Sequence, residues 1–158
     1  MSSLTRRKYR NGLAATVIAC GLGLVAAVPA SATTTVYLVG NNSNGEALNV
    51  FYNSNCQGAV AYFYGDVPDY AGYETLTGSG TQQFETDYDY IFENHDSANG
   101  HGQAVKNNAA SVTDYIANYF TVYYNSGYAG HSQTIISDDH CYNLDATLKN
   151  NNASQTMS

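Results

Sequence analysis

Glu85, Asp87, Asp89 and Glu93 alternate with Thr86, Tyr88, Tyr90 and Phe92. Successive side chains of a strand point to opposite faces, so an extended run here carries carboxylates on one face and aromatic rings on the other. Two readings follow: a strand with its tyrosine face packed and its acid face solvated, or an acidic arm presented to a partner. His95, His101, His131 and His140, with Asp96 or Asp139 nearby, supply the donor types of a zinc site, but no metal-ligand spacing links them. There is no serine elbow, no phosphate loop and no His-Glu-x-x-His, and spacing singles out no carboxylate pair for acid and base work. No catalytic residue is named, and the chain is expected not to be an enzyme. A further polar pattern occurs twice, as Asn107-Asn108-Ala109-Ala110-Ser111 and as Asn150-Asn151-Asn152-Ala153-Ser154. Asn and Ser at such spacing readily close turns through side-chain to backbone hydrogen bonds.

The chain that positions these groups starts with Arg6, Arg7, Lys8 and Arg10, an apolar run over 12–28, and Ala30-Ser31-Ala32. A basic head, an apolar middle and small residues before the cut describe a secretory signal peptide over 1–32, cleaved after Ala32. The apolar run is also about long enough for an uncleaved membrane anchor, but its glycines and the Ala-x-Ala site favour cleavage. The mature chain 33–158 then keeps only Lys106 and Lys149 against all thirteen carboxylates, a net charge of −11. Such a surface repels phosphate backbones and anionic lipid, so nucleic acid and membrane are excluded as partners and cations favoured. Acidity also keeps an extracellular protein soluble. The expectation is a secreted, extracellular monomer.

Cys20 leaves with the leader, and Cys56 and Cys141 remain in an oxidising compartment, where an even pair reads as a disulfide. On the chain-entropy model a loop of that size adds roughly 4 to 5 kcal/mol, less any strain. A free catalytic thiol would need a basic partner, and His140, its sequence neighbour, points to the opposite face of a strand.

The mature length suits one domain. Fourteen of the fifteen tyrosines and all five phenylalanines survive processing, and short aromatic and β-branched runs punctuated by Asn and Gly argue an all-β sandwich. The clearest strands are 36–39, 48–52, 59–64, 119–124 and 134–136. No stretch has a convincing helical period, though 111–118 has room for a turn or two of helix.

Tyr123 precedes Tyr128 by five residues, Gly130 follows by two and Ser137 by seven more. This is the spacing of a folded β-hairpin in which Gly supplies φ > 0, two rings cover the turn and a serine pins the loop. Phe51 and Gly58 repeat the outer positions, with Cys56 in place of the inner aromatic and Gly65 in place of the serine. The pattern resembles the Greek-key signature of the βγ-crystallins. The resemblance implies two Greek keys in one sandwich, the first over about 48–112 and the second over about 119–155. The interval from Gly58 to Asn107 exceeds that from Gly130 to Asn150 by about 29 residues. An insertion over about 66–102 accommodates the excess at small entropic cost.

In calcium-binding members of that family a loop reading Asn/Asp-Asn/Asp-x-x-Ser/Thr-Ser occurs once per key. Carried over, the resemblance makes Asn108, Ser111, Asn151 and Ser154 side-chain ligands, and Ala109 and Asn152 carbonyl ligands, of Ca²⁺. The sixth position is Val112 in one copy and Gln155 in the other, where the family has Ser. With no carboxylate among the ligands, affinity is expected near 10⁻⁴ to 10⁻³ M, on the order of weak extracellular sites. The leader, the double key and a disulfide also resemble the secreted actinobacterial metalloproteinase inhibitors of this fold. That resemblance implies a wedge that blocks an extracellular protease, by an extended segment in the cleft or a carboxylate on the catalytic zinc. A calcium-stabilised structural or stress module without a protease target, and a killer-toxin-like antimicrobial protein, share the fold.

Overall fold

The computed structural model describes residues 33–42, 48–79, 82–93, 98–116 and 118–158; the expected leader lies outside the described residues, as do His95 and Asp96. Two hairpins organise the chain. In the first, β2 (Leu48–Asn53) turns into β3 (Gln57–Phe63), and in the second β7 (Phe120–Asn125) turns into β8 (Ala129–Ile135). Both ladders break register at corresponding places, between Phe51 and Asn53 and between Tyr123 and Asn125. Asn55, Cys56 and Gly58 have φ of 62°, 53° and 81°, and Gly127, Tyr128 and Gly130 have 71°, 62° and 83°. Cys56 therefore adopts the same left-handed backbone as Tyr128. The signature glycines share a reason as well. A Cβ on Gly58 would lie 2.7 Å from Asn53 Nδ2, and one on Gly130 would lie 2.8 Å from Asn125 Nδ2.

The serine that pins each hairpin comes from further along its own key than expected, Ser154 rather than Ser137 in the second and Ser111 rather than the place held by Gly65 in the first. Ser111 Oγ donates to Asn53 O and accepts Cys56 N–H at 2.9 Å. Ser154 Oγ donates to Asn125 O at 2.7 Å and accepts Tyr128 N–H at 3.1 Å. Ser137 instead donates to Ile116 O. The pins start β6 (Ser111–Asp114) and β10 (Ser154–Met157), the fourth strands of their keys. Residues 111–114 are thus a fully buried strand and not a helical turn, because their partners on both sides supply a ladder that a lone turn would lack.

Each key gives its third strand to the other sheet. One sheet runs β3-β2-β6-β9, with β9 (Cys141–Asn143) from the second key, and the other runs β10-β7-β8. Residues 67–70 of the first key lie against β10: Val67 and Gln155 exchange N–H···O bonds of 2.9 and 3.0 Å, and Tyr70 N–H donates to Ala153 O. The result is two interlocked Greek keys in one βγ-crystallin-like sandwich. Leu48, Val50, Ala61, Phe63 and Val112 of one sheet pack with Phe120, Val122 and Ile135 of the other in a single core. Each fully buried large side chain there contributes about 1.5 to 3 kcal/mol. Val112 and Gln155, the residues that replace the family's serine, are core positions: Val112 is apolar filling, and Gln155 Oε1 accepts the Tyr70 hydroxyl at 2.8 Å while its Nε2 donates to Gly65 O. Burial pushes the Tyr70 phenol far above its ordinary pKa, so it remains a donor.

Cys56 and Cys141 are bridged, with Cα atoms 5.9 Å apart, across the exchange between the keys. The insertion starts after Tyr70 rather than at 66, because residues 67–70 belong to the sandwich. It contains β4 (Gly72–Ser79) and β5 (Gln82–Tyr90), and β1 (Thr33–Leu38) pairs in parallel with β5 to give a third sheet, β1-β5-β4. Its root is core: Tyr90 meets Phe63 edge-on at 5.1 Å and Phe92 meets Tyr52 at 5.7 Å.

Candidate functional site

The paired Asn-Asn-x-x-Ser loops come together across the sandwich. Asn107 N–H donates to Asn152 O at 2.7 Å, and Asn150 N–H donates to Ala109 O at 2.8 Å. Asn107 and Asn150, at φ 63° and 59°, make the same left-handed turn. The side chains of the next residues close those turns: Asn108 Nδ2 donates to Ala104 O at 2.9 Å, and Asn151 Nδ2 to Thr147 O at 3.2 Å. Ala109 O also accepts Asn152 Nδ2 at 2.7 Å, so two N–H groups already occupy this carbonyl. Ser111 and Ser154 are fully buried as hairpin pins. Of the expected side-chain ligands, Asn108 and Asn151 use Nδ2 in these turns, which leaves their Oδ1 atoms out of the bonds that close them. Calcium at the full expected ligand set would have to share or displace the bonds that hold the two keys together.

Beside these loops lies a cleft of about 240 Å³ lined by Lys106, Asn107, Tyr124, Asn125, Ser126 and Asn151. Lys106 Nζ reaches Asp69 Oδ1 at 2.9 Å and Ser126 Oγ at 2.8 Å, tying the third strand of the first key to the second hairpin.

The arm is the second candidate. Its register places Glu74 opposite Asp87 and Leu76 opposite Glu85, so Glu74, Glu85 and Asp87 share one face, with ligand oxygens within 4.8 Å of one another. On the other face Tyr73 stacks on Tyr88 at 4.6 Å and leads down to the buried Tyr90. The alternation read from sequence is therefore real, with the aromatic face packed at the root. Toward the tip both faces are open, and Leu76 and Phe84 are 66 % and 53 % exposed. Asp89 is held above the usual carboxylate range by partial burial and by the charge of Asp87.

Among the described residues the histidines do not gather. His131 Nε2 contacts Asp145 Oδ2 at 2.6 Å, and this bond, with the N–H groups of Leu148 and Thr147, pulls the Asp145 pKa down. His140 Nδ1 lies 3.3 Å from Asp138. Asp114, which sequence reasoning passed over, is wholly buried, and burial together with the charges of Asp139 and Asp138 raises its pKa against one backbone hydrogen bond. The available signal was its place three residues after a pin serine, where the other key has Met157.

No protein-family model and no curated protein matches the chain. A solved structure described as "Evolution of the eye lens beta-gamma-crystallin domain fold" is similar over 75% of this chain and 90% of that chain, with a TM-score of 0.44 and 11% identity.

Proposed function

We propose that the mature chain is a secreted, non-enzymatic monomer that inhibits an extracellular protease, with the arm of β4 and β5 as the segment offered to the enzyme. The observation that carries this reading is the exposure of Leu76 and Phe84 near the tip of a hairpin whose root is anchored in the core. An apolar tip on a rigid base loses little conformational freedom on insertion into a cleft. The nearby carboxylates Glu74, Glu85 and Asp87 suit a target whose active site holds a zinc ion. Calcium at the Asn-Asn-x-x-Ser loops is on this reading a weak stabiliser, separable from inhibition.

A panel of zinc and serine proteases assayed with the purified mature chain tests the proposal. At least one enzyme should be inhibited, and Leu76→Asp with Phe84→Asp should weaken inhibition by about a hundredfold or more, as loss of interface anchors does. These side chains are exposed, so the thermal transition should hardly move. If Glu74→Gln, Glu85→Gln and Asp87→Asn together weaken only the inhibition of zinc enzymes, a carboxylate approaches the metal. Failure to inhibit any enzyme of the panel, or inhibition indifferent to the tip substitutions, overturns the proposal. Calcium is judged separately, by the melting-temperature increment at tens of millimolar Ca²⁺ in the wild type and in Asn108→Ala with Asn151→Ala.

A further inference from the structure

Tyr52 follows Phe51 in the first hairpin and Tyr124 follows Tyr123 in the second, so the two rings hold the same place in their keys. Tyr52 is covered. Phe92 meets it edge-on at 5.7 Å, and the backbone at Gly100 comes so close that a Cβ there would lie 2.2 Å from Tyr52 Cγ. Both covering residues belong to the long segment between Gly58 and Asn107, which the second key lacks. Tyr124 is left 39 % exposed, in the lining of the cleft of about 240 Å³ beside the Asn-Asn-x-x-Ser loops.

The other groups of that cleft decide what it can hold. Among the described residues the side-chain amides of Asn107 and Asn125 and the Tyr124 hydroxyl make no hydrogen bond within the chain. Asn151 commits Nδ2 to Thr147 O and Lys149 O and keeps Oδ1 out of those bonds. Lys106 Nζ is already engaged, with Asp69 Oδ1 at 2.9 Å and Ser126 Oγ at 2.8 Å. An anion would therefore meet a paired lysine on a mature chain of net charge −11. A cation would meet that lysine and no carboxylate in the lining. A purely apolar ligand would take water from the amides and give no hydrogen bond in return. A neutral molecule with hydroxyls and one apolar face meets none of these penalties. Its hydroxyls can both donate and accept, as the amides require, and its C–H face can lie on the tyrosine ring. A pyranose sugar has this make-up. The cleft is smaller than the roughly 300 to 1,000 Å³ of pockets that enclose drug-sized ligands, which suits a single ring of a longer chain.

We propose that this cleft binds one pyranose unit of a neutral oligosaccharide, with Tyr124 as the platform and the side chains of Asn107 and Asn125 as the groups that read its hydroxyls. The site lies between the second hairpin and the first Asn-Asn-x-x-Ser loop and uses no residue of the β4–β5 arm, so it stands apart from protease inhibition. It gives a use to the ring that the second key leaves open where the first key packs it away.

Cello-, chito- and malto-oligosaccharides are the probes, titrated into the isotope-labelled mature chain and followed by amide chemical shifts. At least one series should bind, with the largest shifts at Asn107, Tyr124, Asn125 and Ser126. Tyr124→Ala should weaken binding about tenfold or more, as loss of a stacking ring does, and Asn107→Ala and Asn125→Ala should each weaken it about threefold or more. Tyr119→Ala, which removes an exposed ring outside the cleft, should leave binding unchanged, as should Leu76→Asp with Phe84→Asp. Added salt should not alter the affinity, because the ligand carries no charge. Should Tyr124→Ala fail to fold, the shift map of the wild type decides alone. Absence of binding by all three series, shifts centred elsewhere, binding kept in Tyr124→Ala or weakened as much by Tyr119→Ala, or an affinity that falls steeply with salt overturns the proposal.

Discussion

The two hairpins share a backbone and differ in what closes them. In the second, the rings of Tyr123 and Tyr128 meet at 6.1 Å, and Lys106 bonds the turn residue Ser126. In the first, the residue in the place of Tyr128 is Cys56, and a covalent bond to Cys141 holds the turn to the third strand of the other key. The acid paired with Lys106 is Asp69; in the corresponding place of the second key stands Asn143, which exchanges amide bonds with Asn55. A backbone conformation with three left-handed residues thus accepts either closure. What it does not relinquish is the buried serine that satisfies one N–H and one C=O of each turn.

Removal of the covalent closure should have the largest effect. Cys56→Ser with Cys141→Ser should lower stability by about 2 to 5 kcal/mol, read from urea midpoints at unchanged slope. The serine pins come next. Ser154→Ala should cost about 1 to 3 kcal/mol, because it strands a buried N–H and carbonyl. Ser111→Ala should cost less while the disulfide constrains the same turn, and the two losses should converge in the Cys-free background. Equal losses with the disulfide intact would break the comparison.

Asp114 and Met157 give a third test. The Asp114 pKa is raised in the folded state by burial, with the charges of Asp139 and Asp138 adding to it and His140, just before β9, next to Asp138. Folding therefore takes up a proton between the unfolded and folded pKa values. The sign is fixed: this contribution is complete below the unfolded carboxylate pKa, about 3.9, and lost as pH rises through the higher folded value. Asp114→Met should raise the melting temperature at pH 7 more than at pH 4. Asp145 and Asp138, whose pKa values are lowered, act in the opposite direction and are common to both proteins.

The smallest expected effect distinguishes the two lysines. Lys106 is paired with Asp69 and a third exposed, so Lys106→Met should cost no more than about 1 kcal/mol. Lys149, at the corresponding place in the second key, is exposed, and Lys149→Met should change nothing measurable.

Much of the fold was legible because it depends on local rules. Gly58 and Gly130 mark turns that need φ > 0, the alternation over 85–92 marks a two-faced strand, and two cysteines beyond the expected leader mark a bridge. The pin was misplaced because Ser137 and Ser154 are chemically identical, and the choice between them depends on which strand returns to the hairpin. Residues 111–114 looked undecided for the same reason: a four-residue segment takes its conformation from the strands on either side. The arm's root was read as removable insertion because the burial of Tyr90 and Phe92 follows from contacts with Phe63 and Tyr52, far away in sequence.

By itself the amino-acid order determined the class of structure, the two hairpins, the charge balance and the pairing of Cys56 with Cys141, since each rests on residue type and short spacing. Only the tertiary structure decided that the keys exchange their third strands, that β1 adds in parallel to β5, and that Ser111 and Ser154 are structural pins. It also decided that Asp114 is buried while Glu85 and Asp87 stand on a more open arm. All five are carboxylates or hydroxyls with the same local chemistry, and what separates them is how much water the rest of the chain removes.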